Sequence, residues 1–307
     1  MSSATTDQIV LCYSRQDAND VQPVSDAISK AVAKLSILML EVADDPTAAQ
    51  EGIEAYEQAR FVVVFLSTRF EAVSGDLRLG RAVEGGTMTF PVRLDDCRIP
   101  ESLTDLQWID LFEDGSLERL VQSIKDEFHT FVDARDGQKY RTVDIGDRTW
   151  LAENLNYEVE GSWWYEDDPR NGEEFGRLYT WEAALLACPE GWHIADVGDW
   201  QELAESIGGS WLSIGGGPTG DGSTESFEKL IDGGESGFDA LLGGMRDSRF
   251  NAFFEKMQNG YYWGQSPDGR EVYTYGFSAK MGGRIVRFSV TDEADQENGI
   301  SFRCVRN

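Results

Sequence analysis

The stretch from Asp133 to Leu155, DARDGQKYRTVDIGDRTWLAENL, separates two kinds of sequence. Ahead of it, short apolar runs alternate with helix-spaced segments. From it onward glycines and tryptophans crowd in, and every Trp except Trp108 lies within it or beyond it. Asp136-Gly137 and Ile145-Gly146-Asp147 are turn signals between two short alternating runs, Lys139 to Ile145 and Arg148 to Leu151. That pattern predicts a β-hairpin. We read it as the first strands of a second domain, which sets the expected units at residues 1–130 and 131–307. A chain of 307 residues gives each unit enough length for its own core.

Composition narrows the function classes. An apolar fraction of 41% and an aromatic fraction of 11% belong to a folded chain. The formal charge of −28, acidic in both halves, argues against nucleic-acid phosphates and anionic membranes as partners. The plain reading of that acidity is solubility. The opening residues, MSSATTDQ, hold no basic or apolar leader, and no run approaches the roughly 20 apolar residues of a membrane span. The expected location is therefore the cytoplasm. Four cysteines without a CxxC spacing, and only two histidines, argue against a disulfide framework and against a metal site.

In the first domain, Gln8 to Ser14 suits a buried strand. Val21 to Leu35 has helical spacing, and Ser36 to Val42 is a second strand. Ala48 to Ala59 reads as a helix, and Phe61 to Leu66 (FVVVFL) as a central strand, apolar on both faces. Leu77 to Val83 is a short helix, Phe90 to Leu94 a fourth strand, Trp108 to Leu111 a fifth, and Leu117 to Phe131 an amphipathic closing helix. This alternation predicts an α/β doubly wound parallel sheet. In the flavodoxin-like order 2-1-3-4-5, strands 1 and 3 flank the switch point where ligands of such sheets bind. Ser14 to Asp17 and Ser67 to Asp76 should then line one crevice, with Ser14, Arg15, Asp17 and Ser67 as its cofactor-binding candidates.

IVLCYSRQDA, FVVVFLS and FPVRLDDCRIPESLTDLQWIDLF, in that order and spacing, resemble the bacterial branch of the TIR (Toll/interleukin-1 receptor) domain family. The resemblance implies homotypic assembly through the loop after strand 2, here Asp44, Asp45 and Pro46. In many members it also implies cleavage of the nicotinamide–ribose bond of NAD. Cleavage of that bond needs a carboxylate facing an oxocarbenium-like ribose. The family places a Glu early in the helix after strand 3, but the expected position, near Arg78 to Gly80, holds none. Glu84 lies roughly 15 Å down such a helix, and Glu71 and Asp76 are nearer but off the motif. These three are the catalytic candidates, against the plainer reading of solvated acids, and the balance favours a TIR domain without NAD hydrolysis.

In the second domain, short strands and Gly-rich turns accompany two helices, Trp181 to Ala187 behind a Thr180 cap and Val197 to Ile207. Ile214 to Ser226 lacks the order of a phosphate loop and reads as a surface loop. Tyr261 to Gly264 and Tyr273 to Phe277 read as strands, and Arg284 to Val290 is expected to pair with Gly299 to Arg306. The segments GQKYRTVDIGDRTWLAENLNYE, GRLYTWEAALLACPEGWHIADVGDWQEL, ESGFDALLGGMRD, NGYYWG and SFRCVRN resemble the FISUMP family, the major paralogous domain of Fibrobacter surface proteins. That resemblance implies an α+β, C-type-lectin-like fold with its N- and C-terminal strands paired. It also implies a cysteine pair around Trp164 and Gly172, absent here, while Cys188 and Cys304 match family positions. In a cytoplasmic chain those two are expected as reduced thiols. Gln265-Ser-Pro-Asp268 reads as a turn rather than a lectin calcium motif, Glu166 to Asp168 and Asp292 to Glu297 as solvated acidic loops, and His193 as a packed core histidine.

Together these readings describe a cytoplasmic signalling or defence protein in which lectin-like loops recognise an unknown protein or small ligand and the TIR domain forms homo-oligomers. The alternatives are an NAD nucleosidase activated by clustering, with NAD as substrate, and a passive scaffold.

Overall fold

The computed structural model describes residues 6–42, 55–56, 58–70, 87–99, 104–209, 228–231, 233–280, 284–291 and 295–307. The chain divides into two compact units, Met1–Phe128 and His129–Asn307.

The first unit contains β1 (Thr6–Ser14), α1 (Ala18–Ala31), β2 (Ser36–Val42), β3 (Ala59–Leu66), β4 (Met88–Arg93), β5 (Ile109–Asp110) and α2 (Ser116–Phe128). Its strands form one parallel sheet in the order β2-β1-β3-β4-β5, the flavodoxin-like order. The central strands are apolar throughout because both faces are covered. Ile9, Leu11, Phe61, Val63 and Phe65 pack with Val21, Val24 and Ile28 of α1 and with Leu120, Ile124 and Phe128 of α2. The alternate residues Val10, Cys12, Val62, Val64 and Leu66 form a separate core with Tyr56, Phe70 and Cys97.

Two elements are shorter or shifted relative to the sequence pattern. The helix expected over Val21 to Leu35 runs over Ala18–Ala31, and Val32 leaves helical geometry at φ −135°. Val32 and Leu35 still reach the core from the turn, which is why their spacing looks helical. The fifth strand is confined to Ile109–Asp110, with Trp108 packed beside it at the edge of the Tyr56 core. The expected helix over Leu77 to Val83 lies outside the described residues, as does most of that over Ala48 to Ala59.

The second unit is α+β, with β6 (Thr130–Val132), β7 (Lys139–Ile145), β8 (Arg148–Leu151), β9 (Ser162–Trp163), α3 (Pro169–Phe175), β10 (Leu178–Tyr179), α4 (Trp181–Ala187), β11 (Trp192–Ile194) and α5 (Val197–Ser206). There follow β12 (Met245–Asp247), β13 (Ala252–Phe254), β14 (Asn259–Gln265), β15 (Val272–Lys280), β16 (Arg284–Thr291) and β17 (Cys304–Arg306). One sheet runs β11-β17-β8-β7-β6, so the first and last strands of the unit share it, as expected of a C-type-lectin-like fold. The β7–β8 hairpin closes at Ile145↔Arg148. Its Gly146 sits at φ +60°, where a Cβ would stand 2.6 Å from Ser206 Oγ.

The pairing expected between Arg284 to Val290 and Gly299 to Arg306 is not formed. β16 pairs with β15, while β17 pairs with β11 and β8. Alternating apolar residues identify a strand but carry no information on its partner. The Gly-rich loop Ile214 to Ser226 lies outside the described residues.

Candidate functional site

The carboxyl ends of β1 and β3 are neighbours because the two strands pair directly, Cys12 opposite Val64. β1 ends at Ser14 and passes into a single 3₁₀ turn, Arg15–Asp17, while β3 passes into Ser67. This brings Asp17 and Ser67 together, both fully buried, with Ser67 Oγ donating to Asp17 Oδ2 at 2.7 Å. Ser67 Oγ in turn accepts the backbone N–H groups of Arg69 and Phe70, each at 3.1 Å, which shapes the turn after β3.

A residue that the sequence pattern did not single out closes this arrangement. Arg69 Nε lies 2.8 Å from Asp17 Oδ1, as an ion pair out of line for a hydrogen bond. Its terminal nitrogens donate to Asp20 Oδ2 at 2.8 Å and to the Gln16 carbonyl at 3.1 Å. The available signal was charge. Acids follow β1, an arginine follows β3, and the sheet order makes the two loops neighbours. Beside them, the Thr68 N–H and hydroxyl donate to the Asp95 carboxylate.

Of the four cofactor-binding candidates, Ser14, Asp17 and Ser67 belong to the buried wall. Arg15 stands out in solvent, 85% exposed, with its Nε 3.3 Å from Glu41 Oε2. The catalytic candidates Glu71, Asp76 and Glu84 and the assembly-loop residues Asp44, Asp45 and Pro46 lie outside the described residues.

Three polar or reactive arrangements stand out among the described residues of the second unit. At the start of α5, Asp196 and Asp199 form a reciprocal capping box. The buried Asp199 accepts from His193 Nε2 at 2.8 Å and from the Asp196 N–H at 2.9 Å, and its other oxygen lies 3.1 Å from Arg148 Nε. His193 Nδ1 lies 2.7 Å from Asn307 Oδ1. The Asp199 bond lifts the His193 pKa above its ordinary value. Burial alone would raise the Asp199 pKa, but the bonds from His193 and Asp196 outweigh it and the net direction is down. His193 thus bridges β11 to α5 and to Asn307 and is not only a packed ring.

At the end of α4, Cys188 faces Cys304 of β17 with the sulfurs 3.7 Å apart, both as free thiols. The third centre is the Trp164 ring, which rests on Gly172, under Arg177 at 4.3 Å, with its Nε1 donating to Asn156 Oδ1 at 2.9 Å. The two positions where the family resemblance implies a cysteine pair are therefore in contact, occupied by a ring and a glycine.

Asp168 and Asp268 have local roles. Asp168 caps α3 through Arg170 N, and Ser266, Asp268 and the Arg270 and Glu271 N–H groups close the turn between β14 and β15. Among the described residues no group of three or more His, Cys, Asp or Glu side chains could hold a metal ion. Nor is any helix among them long and apolar enough to cross a membrane.

Residues 143–306 match the family described as Fibrobacter succinogenes major domain, over more than half of the chain. The chain belongs to that family. Ahead of this domain, residues 9–122 match the TIR domain family, so the protein joins a TIR domain to a Fibrobacter succinogenes major domain. No curated protein matches. Among solved structures, the TIR domain of the Toll-related receptor TRR-2 from Hydra magnipapillata matches with 18% identity and a TM-score of 0.32, covering 39% of this chain and 99% of that one. The RPS4 and RRS1 TIR domain heterodimer matches with 12% identity and a TM-score of 0.33, covering 39% and 97%. The Francisella novicida lysine decarboxylase LdcF matches with 11% identity and a TM-score of 0.30, covering 42% of this chain but 18% of its own.

Proposed function

We propose that this is a cytoplasmic signalling or defence protein that works by assembly rather than by turnover. Its TIR domain binds copies of itself, and its lectin-like domain recognises a ligand on its loops. The observation that carries this reading is the state of the crevice acids. Breaking a nicotinamide–ribose bond puts positive charge on the ribose, and a carboxylate must be free to approach that charge. Of the acids described beside the ends of β1 and β3, Asp17 is engaged by Ser67 and Arg69, and Asp20 by Arg69. A carboxylate that already faces an internal guanidinium has little left for a second cation. On the recognition side, Phe250, Phe254 and Met257 stand exposed within one segment, the two rings 6.3 Å apart. Clustered apolar groups of this size are a common mark of an interaction surface.

The test pairs two measurements on the full chain. Concentrated protein incubated with NAD is followed for free nicotinamide, and sedimentation is recorded over a dilution series. The expected result is no nicotinamide above the blank, with oligomers that dissociate on dilution and are lost when Asp44, Asp45 and Pro46 are replaced by alanine. Nicotinamide release abolished by Glu84→Ala, Asp76→Ala or Glu71→Ala would make the protein an NAD nucleosidase instead. A monomer at every concentration, without turnover, would reduce it to a passive scaffold.

A further inference from the structure

Two arginines among the described residues of the second unit are buried, Arg303 and Arg177, and their guanidinium groups are met very differently. All three Arg303 nitrogens donate to acceptors fixed by the fold, Asn154 Oδ1 and the carbonyls of Leu151, Phe238 and Asp239. Arg177 precedes β10, with its backbone N–H bonded to the Leu155 carbonyl at 3.0 Å and its side chain 6% exposed. Its guanidinium carbon lies 4.3 Å from the centre of the Trp164 ring, and Nη1 donates to Ser162 Oγ at 3.4 Å. The charge is met by Glu158, whose Oε2 is 2.8 Å from Nη2, although the Glu158 side chain is itself 78% exposed. Nε is buried and has no hydrogen-bond partner among the described residues.

We propose that Arg177 is the recognition residue of a binding site for the carboxylate of a small organic acid, a place that Glu158 occupies in this structure. The inference rests on the reading of this unit as the ligand-recognising one and names the class of ligand. The Nε–H and one Nη2–H of a guanidinium lie side by side and match the two oxygens of a carboxylate. Glu158 meets this fork at Nη2 and leaves Nε without an acceptor. A buried N–H without a partner is costly, and an acid that meets both prongs removes that cost.

The surroundings fit this role. Glu158 can give way, since most of its side chain stands in water. Trp164 cannot: its ring is held between Arg177 and Gly172, with Nε1 bonded to Asn156 Oδ1. The ring therefore backs the cation and holds it in place rather than stacking on the ligand. One guanidinium balances one negative charge, and a chain of formal charge −28 repels phosphates and other multiply charged anions more strongly than a single carboxylate.

The experiment titrates the isotopically labelled full chain with sodium acetate, sodium glucuronate and glucose, with ionic strength held by sodium chloride. The readouts are the nuclear magnetic resonance signals of the Arg177 Nε–H and the Trp164 indole N–H. Acetate and glucuronate should shift both signals to saturation, and glucose and chloride should not. Tighter binding of glucuronate would assign the site to acidic sugars, and equal or tighter binding of acetate would assign it to simple organic acids. Glu158→Ala removes the internal competitor. If Glu158 holds the fork about nine-tenths of the time, affinity should rise about tenfold, a gain that a purely structural ion pair would not give. Arg177→Lys removes the fork and should weaken binding at least about tenfold, read at Trp164. The proposal would be overturned by shifts that never saturate in either the wild type or Glu158→Ala, or by binding in Glu158→Ala no tighter than in the wild type. Equal shifts with chloride, an adventitious ion only, would overturn it too. Position 158 is exposed, so the deciding variant leaves the core untouched. Sedimentation of the same samples reports assembly separately. A monomer that binds acetate would keep this site while the assembly reading fails, and an oligomer without saturable shifts would do the reverse.

Discussion

The two units solve one problem, the pairing of buried backbone groups, in opposite ways. In the TIR unit the parallel ladder does it. β1 is bonded along both edges, to β2 and β3, and the side chains only have to fill space, so the core is Val, Ile, Leu and Phe. In the lectin-like unit several strands are two or three residues long, and side chains must reach the carbonyls that no ladder serves. Trp263 Nε1 donates to the Tyr179 carbonyl at 2.7 Å, Asn154 to Phe175 at 2.8 Å, Asn171 to Tyr165 at 2.7 Å and the Tyr262 hydroxyl to Leu241 at 2.8 Å. Arg303, at zero exposure, donates to Asn154 Oδ1 and to the carbonyls of Leu151, Phe238 and Asp239. A unit held this way concentrates its stability in a few polar donors. The sheet unit spreads it over many interchangeable contacts.

Arg303→Met puts that contrast under the greatest strain. It keeps much of the volume and strands four acceptors in a dry site, so the second unit should lose about 3–5 kcal/mol while the first unit melts unchanged. Differential scanning calorimetry resolves the two transitions, and a loss below about 1 kcal/mol would remove the basis of the comparison. Gly172→Ala comes next. Its new Cβ would stand 2.4 Å from Trp164 Cδ1 and Nε1, and the ring has little room to yield between Arg177 and the bond to Asn156. The expected cost is about 2–3 kcal/mol by urea denaturation. Trp164→Leu added to Gly172→Ala should recover part of it. No recovery would mean that the glycine is needed for its backbone and not for the ring.

The parallel counterpart in the first unit is Arg69→Met. It leaves the buried Asp17 with Ser67 as its hydrogen-bonding partner, but Arg69 is 43% exposed and water can take over part of its role. The expected loss is about 1–2 kcal/mol, smaller than for Arg303. An equal or larger loss would show that the TIR crevice, too, hangs on a single donor.

What could be read from sequence follows the same division. FVVVFL announces a central strand because a doubly covered strand is apolar on both faces, and the order β2-β1-β3 makes the ends of β1 and β3 neighbours without any knowledge of side chains. The Lys139–Ile145 and Arg148–Leu151 hairpin and the Thr180 cap were legible because turn glycines and cap hydroxyls act within a few residues. Arg303, Arg69 and His193 were not legible as hubs. The arginines look solvent-facing and His193 looks merely packed until partners distant in sequence are placed around them. The partner of β16 is not legible for a related reason, since alternation reports the buried face and not the neighbour. The neighbouring strand ends follow from the sheet order, yet that Ser14, Asp17 and Ser67 are buried there is set by the 3₁₀ turn and by Arg69.

The smallest effect tests whether the polar hubs of the second unit respond to pH as a paired system. His193 has its pKa raised from an ordinary 6.5, so its contribution is complete below about pH 6.5 and is lost as pH rises through the higher folded value. Asp199 has its pKa lowered from 3.8, so its contribution is complete above about pH 4 and is lost as pH falls through the lower folded value. The pair should therefore stabilise the unit most between about pH 4 and 6.5, with a decline on the alkaline side that belongs to His193. His193→Gln can keep a hydrogen bond to Asp199 but cannot carry charge. Its melting temperature plotted against pH should lack the decline above pH 6.5 that the wild type shows, while the two proteins converge near pH 9. Parallel curves across the whole range would mean that the charge on His193 is screened and that only its packing counts. The second unit would then depend on neutral donors alone, which would sharpen its contrast with the ion-paired crevice of the first.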